Sequence, residues 1–186
     1  MPVFTMSPYA ASKFAGEAYC RAFACVYDLE TVCLRFFNVF GPRQDPNSEY
    51  AAVIPKFISR MLAGEPPVIF GDGLQSRDFS YISNVVNALM LAAQAGPDAN
   101  GETMNVGCGG RTSLLELVAT LNDLLGTEIV PSFEAPRPGD VRDSEASIEK
   151  ASSLIDYKPF VDVEDGLRLT TEWFAERSAG TVGMTG

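Results

Sequence analysis

Residues 7–43 read SPYAASKFAGEAYCRAFACVYDLETVCLRFFNVFGPR, and this stretch decides the fold class. Ser7 followed by Pro8 is a helix start: a hydroxyl that can cap, then a residue whose fixed φ suits the first helical turn. Apolar residues recur every three or four positions from there to about Tyr27, which predicts one long helix. Thr31 to Phe37 is β-rich and ends at Asn38-Val39-Phe40-Gly41-Pro42, a loop signal. A helix feeding a strand opens the chain.

The same alternation continues outward. Gly41 to Tyr50 reads as a loop, and Pro55 to Leu62 as a helix stopped by Gly64. Pro67 to Phe70 is a short strand, Gly71-Asp72-Gly73 a turn, and Arg77 to Ile82 a second strand. Ser83 is expected to cap a helix to about Ala95. Thr103 to Val106 is a strand, and Gly107 to Gly110 a turn. Ser113 with Glu116 forms a capping box for a helix to Leu125. Glu128 to Phe133 reads as a strand and Glu134 to Asp143 as a loop. A short helix from Ser147 and a last one from Asp162 to about Arg177 follow, and a small-residue tail from Ser178 is expected to fray. Strands alternating with helices predict an α/β class.

Composition narrows the chemistry. The 186 residues are 46% apolar and 20% charged, as in an ordinary globular chain. Lys and Arg number 14 against 24 Asp and Glu, a net charge of −10. Nucleic acid and anionic membrane surfaces need a basic face, so neither is expected as a partner. Histidine is absent, which removes His bases and His-ligated metals. Cys20, Cys25, Cys33 and Cys108 form no Cys-x-x-Cys pair. No metal site is therefore expected, and the four read as reduced, mostly buried thiols of a cytoplasmic protein. The first cation is Lys13 and the apolar run from Ala88 to Ala93 is short, so neither a signal peptide nor a membrane span is expected.

Tyr9 and Lys13 stand four residues apart, on one helical face. The ammonium favours an ionised phenol by opposite charge, and the helix N-terminus acts in the same direction. Such a pair suits proton transfer to and from a sugar or alcohol hydroxyl. Taken alone, Tyr-x-x-x-Lys is a loose pattern that an ordinary surface helix also shows.

The pattern does not stand alone. Ser7-Pro-Tyr-Ala-Ala-Ser-Lys-Phe-Ala-Gly-Glu17 and Leu34-Arg-Phe-Phe-Asn-Val-Phe-Gly-Pro-Arg43 resemble the extended short-chain dehydrogenase/reductases, the NAD-dependent nucleotide-sugar epimerases and dehydratases. Ile69-Phe70-Gly71-Asp72-Gly73, Ser76-Arg77-Asp78-Phe79, Asn105-Val106-Gly107 and Arg137-Pro138-Gly139-Asp140 follow in matching order. The resemblance covers residues 7 to 175. Gln44 to Asn47 and Tyr50 to Pro55 look most like the UDP-glucose and UDP-N-acetylglucosamine 4-epimerase branch. The implied fold is the C-terminal portion of a Rossmann-type domain with a small α/β substrate-binding domain. Residues 1–45 would be the dinucleotide-domain part and 46–177 the substrate domain, with strand 103–107 joining the Rossmann sheet and 178–186 a flexible tail.

The resemblance also implies roles. Tyr9 would be the catalytic acid/base, and Lys13 would support it and hold the nicotinamide ribose; with Phe37 they would line the NAD site. For a UDP-sugar, Asn38 would meet the phosphates, Ala52 and Val53 would line the nucleotide pocket, and Val68, Ile69 and Phe70 would hold the uracil, partly by backbone groups. Arg77 and Arg137 would clamp the pyrophosphate, whose charge suits guanidinium forks. Asp140 would take a ribose hydroxyl. Ser144 would leave room for an N-acetyl group. On residues alone, a surface side chain is the lesser alternative for either arginine, and a plain loop serine an equal one for Ser144.

Two glycine clusters are poor phosphate loops. Gly71-Asp72-Gly73 leads into a strand, and Gly107-Cys108-Gly109-Gly110 lacks the Gly-x-Gly-x-x-Gly spacing. The phosphate loop and the catalytic Ser or Thr that the family carries ahead of its Tyr-x-x-x-Lys helix have no counterpart here. An isolated chain is accordingly expected to be inactive and to hold NAD poorly. A separate N-terminal half and a homo-oligomer are the expected partners. The alternatives are a non-catalytic UDP-sugar-binding or complementing module, and a related dehydratase or decarboxylase.

Overall fold

The computed structural model describes residues 7–47, 52–137, 139 and 141–182. Helix α1 spans Pro8–Tyr27, and the Ser7 hydroxyl accepts from the Ala10 N–H at 3.1 Å, as the Ser-Pro start requires. Strand β1 (Val32–Phe36) follows, then β2 (Val39–Phe40) inside the stretch read as a loop. Asn38, between them, takes a left-handed conformation (φ 35°) that redirects the chain from one sheet to the next. Helix α2 (Val53–Leu62) leads to β3 (Val68–Phe70), β4 (Ser76–Arg77) and β5 (Ser80–Tyr81). The single strand expected over 77–82 is split because Asp78 and Phe79 turn into the interior, where both are buried.

Helix α3 (Ile82–Ala93) starts directly from β5 with Tyr81 at the cap position. The expected cap at Ser83 is thus inside the helix and makes no capping bond. Strand β6 (Glu102–Val106) and the short β7 (Thr112–Ser113) precede α4 (Leu114–Leu125). The Ser113–Glu116 capping box forms as read, a device worth about 1 kcal/mol. Strand β8 is confined to Ser132–Glu134. The residues before it are held by Asn122, whose amide exchanges hydrogen bonds with both backbone groups of Ile129, so they cannot extend the strand. Helices α5 (Glu149–Ile155) and α6 (Val163–Val182) complete the order, α6 continuing past the expected end at Arg177.

The strands form four pairs. β1 lies parallel to β6, β2 to β5 and β3 to β8, while β4 and β7 run antiparallel. Register places Val32 opposite Glu102 and Phe36 opposite Val106. The described residues offer no strand to the other edge of β1. This is an α/β fold with parallel pairing.

Two apolar cores hold it. One joins α2, α4 and α6 through Ile54, Phe57, Ile58, Leu117, Leu121 and Leu167. Burying each such side chain contributes about 1.5–3 kcal/mol. The other seats Met104 and Val106 of β6 against Val85 and Ala88 of α3 and Ala151 and Ile155 of α5. Helix α1 contributes no buried residue to either. It is attached to β1 by the Arg35–Glu17 pair, at 2.6 Å, and by the Thr31 hydroxyl, which donates to the Cys20 carbonyl at 3.1 Å.

Candidate functional site

A cleft of about 790 Å³ opens between α2, β2, β3, β4 and the segment after β8. Its apolar wall is Val39, Phe40, Val53, Phe57, Val68 and Phe70. Helix α2 can serve both core and cleft because it is amphipathic: Ile54, Ile58 and Met61 point inward, while Lys56 and Arg60, four residues apart, line the cleft. Arg77 and Arg137 line it as well. The Arg137 guanidinium lies 3.7 Å from the Phe70 ring centroid, a cation–π stack that fixes the plane of its donor fork. The Arg77 guanidinium is steadied from below, donating to the Ser76 carbonyl at 2.8 Å. One carboxylate, Glu134, lines the cleft together with these cations. In a chain of net charge −10, this is a local reversal of sign.

Asp78, the chain neighbour of Arg77, is a buried tie point outside the cleft lining. It is fully buried, and its carboxylate accepts from the N–H groups of Cys108 at 2.8 Å, Gly109 at 3.0 Å and Ala146 at 3.1 Å. Burial pushes its carboxyl above the usual carboxylate range, and the three N–H bonds pull in the opposite direction. The Cys108 thiol beside it is pushed up by burial and by the Asp78 charge. The Asp78 carbonyl accepts from the Asn38 side-chain amide at 2.9 Å, which sets Asn38 at the cleft rim. Asp78 therefore ties the turn after β6, the segment around Ala146 and the Asn38 corner to the strand that carries Arg77. Sequence reading gave it no role, and it also missed Lys56, Arg60 and Glu134. The i, i+4 spacing of Lys56 and Arg60 on an amphipathic helix was the available signal for those two.

Of the expected substrate residues, Asn38, Ala52, Val53, Val68, Phe70, Arg77 and Arg137 all line this one cleft. Ile69 lies between two of them with its side chain wholly in the core. Ser144 sits behind β4: its N–H donates to the Ser76 carbonyl at 3.2 Å, and it does not line the cleft. Asp140 lies outside the described residues.

Tyr9 and Lys13 are brought together, the ammonium 5.3 Å from the ring centroid, on a helix face where Tyr9 is 72% exposed. Neither lines the cleft. Phe37 is half-buried between the two regions, donating its N–H to Val106 at 3.1 Å, and it is the immediate neighbour of Asn38. The turn Gly107 to Gly110 is closed to a phosphate, because the Asp78 carboxylate already occupies the amides of Cys108 and Gly109. Among the described residues this turn therefore offers no free cradle for a phosphate. Among them no cluster of His, Cys, Asp or Glu could hold a metal ion, and no helix is long and apolar enough to cross a membrane.

Residues 1–107 match the model of the NAD dependent epimerase/dehydratase family. A UDP-glucose 4-epimerase of Mycolicibacterium smegmatis is 39% identical over 178 residues, covering 96% of this chain and 56% of its own. The crystal structure of a UDP-glucose 4-epimerase with UDP-glucose from Thermotoga maritima superposes with a TM-score of 0.89 at 40% identity, over 94% of this chain and 55% of that one. A UDP-N-acetylglucosamine 4-epimerase from Methanobrevibacter ruminantium, in complex with UDP-N-acetylmuramic acid, gives 0.88 at 44% identity, over 95% and 58%. Relatives further off in sequence include a UDP-N-acetyl-alpha-D-glucosaminuronate decarboxylase and a dTDP-glucose 4,6-dehydratase. The chain spans about half the length of the relatives it matches.

Proposed function

Because the chain belongs to the NAD dependent epimerase/dehydratase family, we propose that it carries the nucleotide-sugar cleft and the acid/base helix of a UDP-sugar 4-epimerase. The observation that supports this most is the gathering of Arg77 and Arg137 with the Val68 and Phe70 wall in one cleft of an otherwise acidic chain. An apolar slot beside paired guanidinium groups suits a flat base joined to a pyrophosphate.

In this reading Val68 and Phe70 hold the uracil, with Ile69 contributing backbone only, and Ala52 and Val53 close the nucleotide pocket. Arg77 and Arg137 neutralise the pyrophosphate. An amide NH2 has two donors, so the bond from Asn38 to Asp78 leaves one for a phosphate oxygen. Asp140 takes a ribose hydroxyl, and Ser144 leaves room beside sugar C2, admitting N-acetylated sugars. Tyr9 carries the proton of the sugar C4 hydroxyl, and Lys13 holds a ribose hydroxyl and supports the phenolate. Tyr9, Lys13 and Phe37 would hold the nicotinamide end of NAD, which would supply hydride acceptance and return.

Among the described residues no turn offers a free phosphate cradle, so this stretch by itself is expected to bind NAD weakly and to leave UDP-sugars unconverted. A dinucleotide-binding half supplied alongside restores turnover. The exposed aromatic side of α1, with Tyr19 and Tyr27 about 70% open, supports self-association. A monomer mass independent of concentration would exclude that.

Calorimetric titration of the purified chain with UDP, UDP-N-acetylglucosamine and NAD tests the reading. Both uridine nucleotides are expected to bind and NAD only weakly. Tight NAD binding with no affinity for UDP would overturn it.

A further inference from the structure

Helix α1 meets β1 along one face of the strand. Thr31, just before β1, donates its hydroxyl hydrogen to the Cys20 carbonyl at 3.1 Å. Two strand positions beyond Cys33, Arg35 grips Glu17 through hydrogen bonds of 2.7 and 2.6 Å. Side chains at alternate strand positions share a face, so Cys33 stands between these two contacts and faces the same helix. Glu17 and Cys20 lie one helical turn apart. The two anchors therefore bracket Cys33 against Cys20, and after burial the neighbouring Cys20 thiol is the next influence that pushes the Cys33 thiol up. Neither thiol has a part in the proposed chemistry. Cys108 is elsewhere, beside Asn84, and Cys25 is exposed on α1.

We propose that Cys20 and Cys33 form a dithiol oxidation site, which a low-molecular-weight disulfide converts to an intramolecular disulfide pinning α1 to β1. One cysteine, as thiolate, attacks a sulfur of the reagent; the reagent S–S bond breaks and its first thiolate leaves and is protonated. The second cysteine then gives up its proton and attacks the cysteine sulfur of the mixed disulfide. The Cys20–Cys33 bond forms and the second reagent thiolate leaves. The two cysteines lose two electrons and two protons, and the reagent is reduced to two thiols. Since α1 buries no residue, this bond would add a covalent fastening to its seam with β1. The helix so fixed is the one that carries Tyr9 and Lys13.

The test is treatment of the full chain with oxidised glutathione at mildly alkaline pH, then non-reducing peptide mapping. Alkaline conditions are chosen because burial, and then the neighbouring Cys20 thiol, push the Cys33 thiol up to about 11. The expected product is a linked pair of peptides containing Cys20 and Cys33, about 2 Da lighter than their reduced sum and separated again by dithiothreitol. Cys25→Ser is expected to leave the link intact, and Cys20→Ser to abolish it. Hydrogen exchange over residues 8–27 is expected to slow several-fold on oxidation. Glutathione adducts without a link, or a link from either residue to Cys25 or Cys108, would overturn the site. Unchanged exchange in the linked form would overturn the pinning.

Discussion

Gly107 lies so close to Asp78 that a β-carbon on it would fall 2.6 Å from the carboxylate Oδ2. The same β-carbon would meet that of Ala146 at 2.6 Å. The absence of a side chain at Gly107 is what lets the carboxylate reach three backbone N–H groups at once. Gly107→Ala is therefore expected to destabilise the fold by about 1–3 kcal/mol through overpacking. Urea denaturation should show a lower midpoint, and an unchanged midpoint would mean that the segments around Asp78 can shift freely.

Asp78 also gives a signed pH effect. Its carboxyl is raised in the folded chain, mainly by burial. Such an acid lends stability that is full below its unfolded value, about 3.9, and is lost as pH climbs through the folded value. Asp78→Asn removes this titration. The stability of the wild type relative to Asp78→Asn is thus expected to fall as pH rises from about 4 towards neutrality. Parallel urea melts across that range check it, and a relative stability that rises with pH would reverse the assignment.

Arg77→Ala and Arg137→Ala should each weaken UDP binding roughly 10- to 100-fold, the cost of one charge-assisted contact. Arg137→Lys should recover little, because an ammonium cannot reproduce the planar stack on Phe70. Calorimetry reads all three variants. Full affinity in Arg137→Ala would remove that residue from the pyrophosphate site.

Tyr9→Phe separates binding from chemistry. Tyr9 stands outside the cleft, so UDP affinity should be unchanged. Turnover of a UDP-sugar, measured with a dinucleotide-binding half added, should fall about 10²- to 10⁴-fold for loss of the acid/base group. Equal loss of affinity would show that the phenol serves binding instead.

Ser144→Tyr tests sugar selection. UDP-N-acetylglucosamine should lose affinity while UDP-glucose keeps it. Ser144 is bonded to the strand that carries Arg77, so a general disturbance of that strand would weaken both ligands equally and refute the steric role.

What the sequence determined by itself was local. The Ser7-Pro8 start, the Ser113–Glu116 capping box and the Tyr9–Lys13 face all depend on groups within one helical turn, and all form as read. The family is likewise legible, because its motifs recur in order along the chain. Local reading failed where a distant element intervened. Ser83 looks like a cap but follows a strand that runs straight into its helix, and residues 128–131 look like a strand until Asn122 claims the backbone of Ile129. The spacing of Gly107 to Gly110 already spoke against a phosphate loop, and the tertiary structure alone supplied the partner that closes it, a carboxylate some thirty residues earlier that takes the amides of Cys108 and Gly109. It also decided that Arg137 meets the ring of Phe70 and shares a cleft with Arg77. Backbone preferences and caps act over a few residues, whereas the partner of a buried charge or a guanidinium is set by the packing that brings remote segments together.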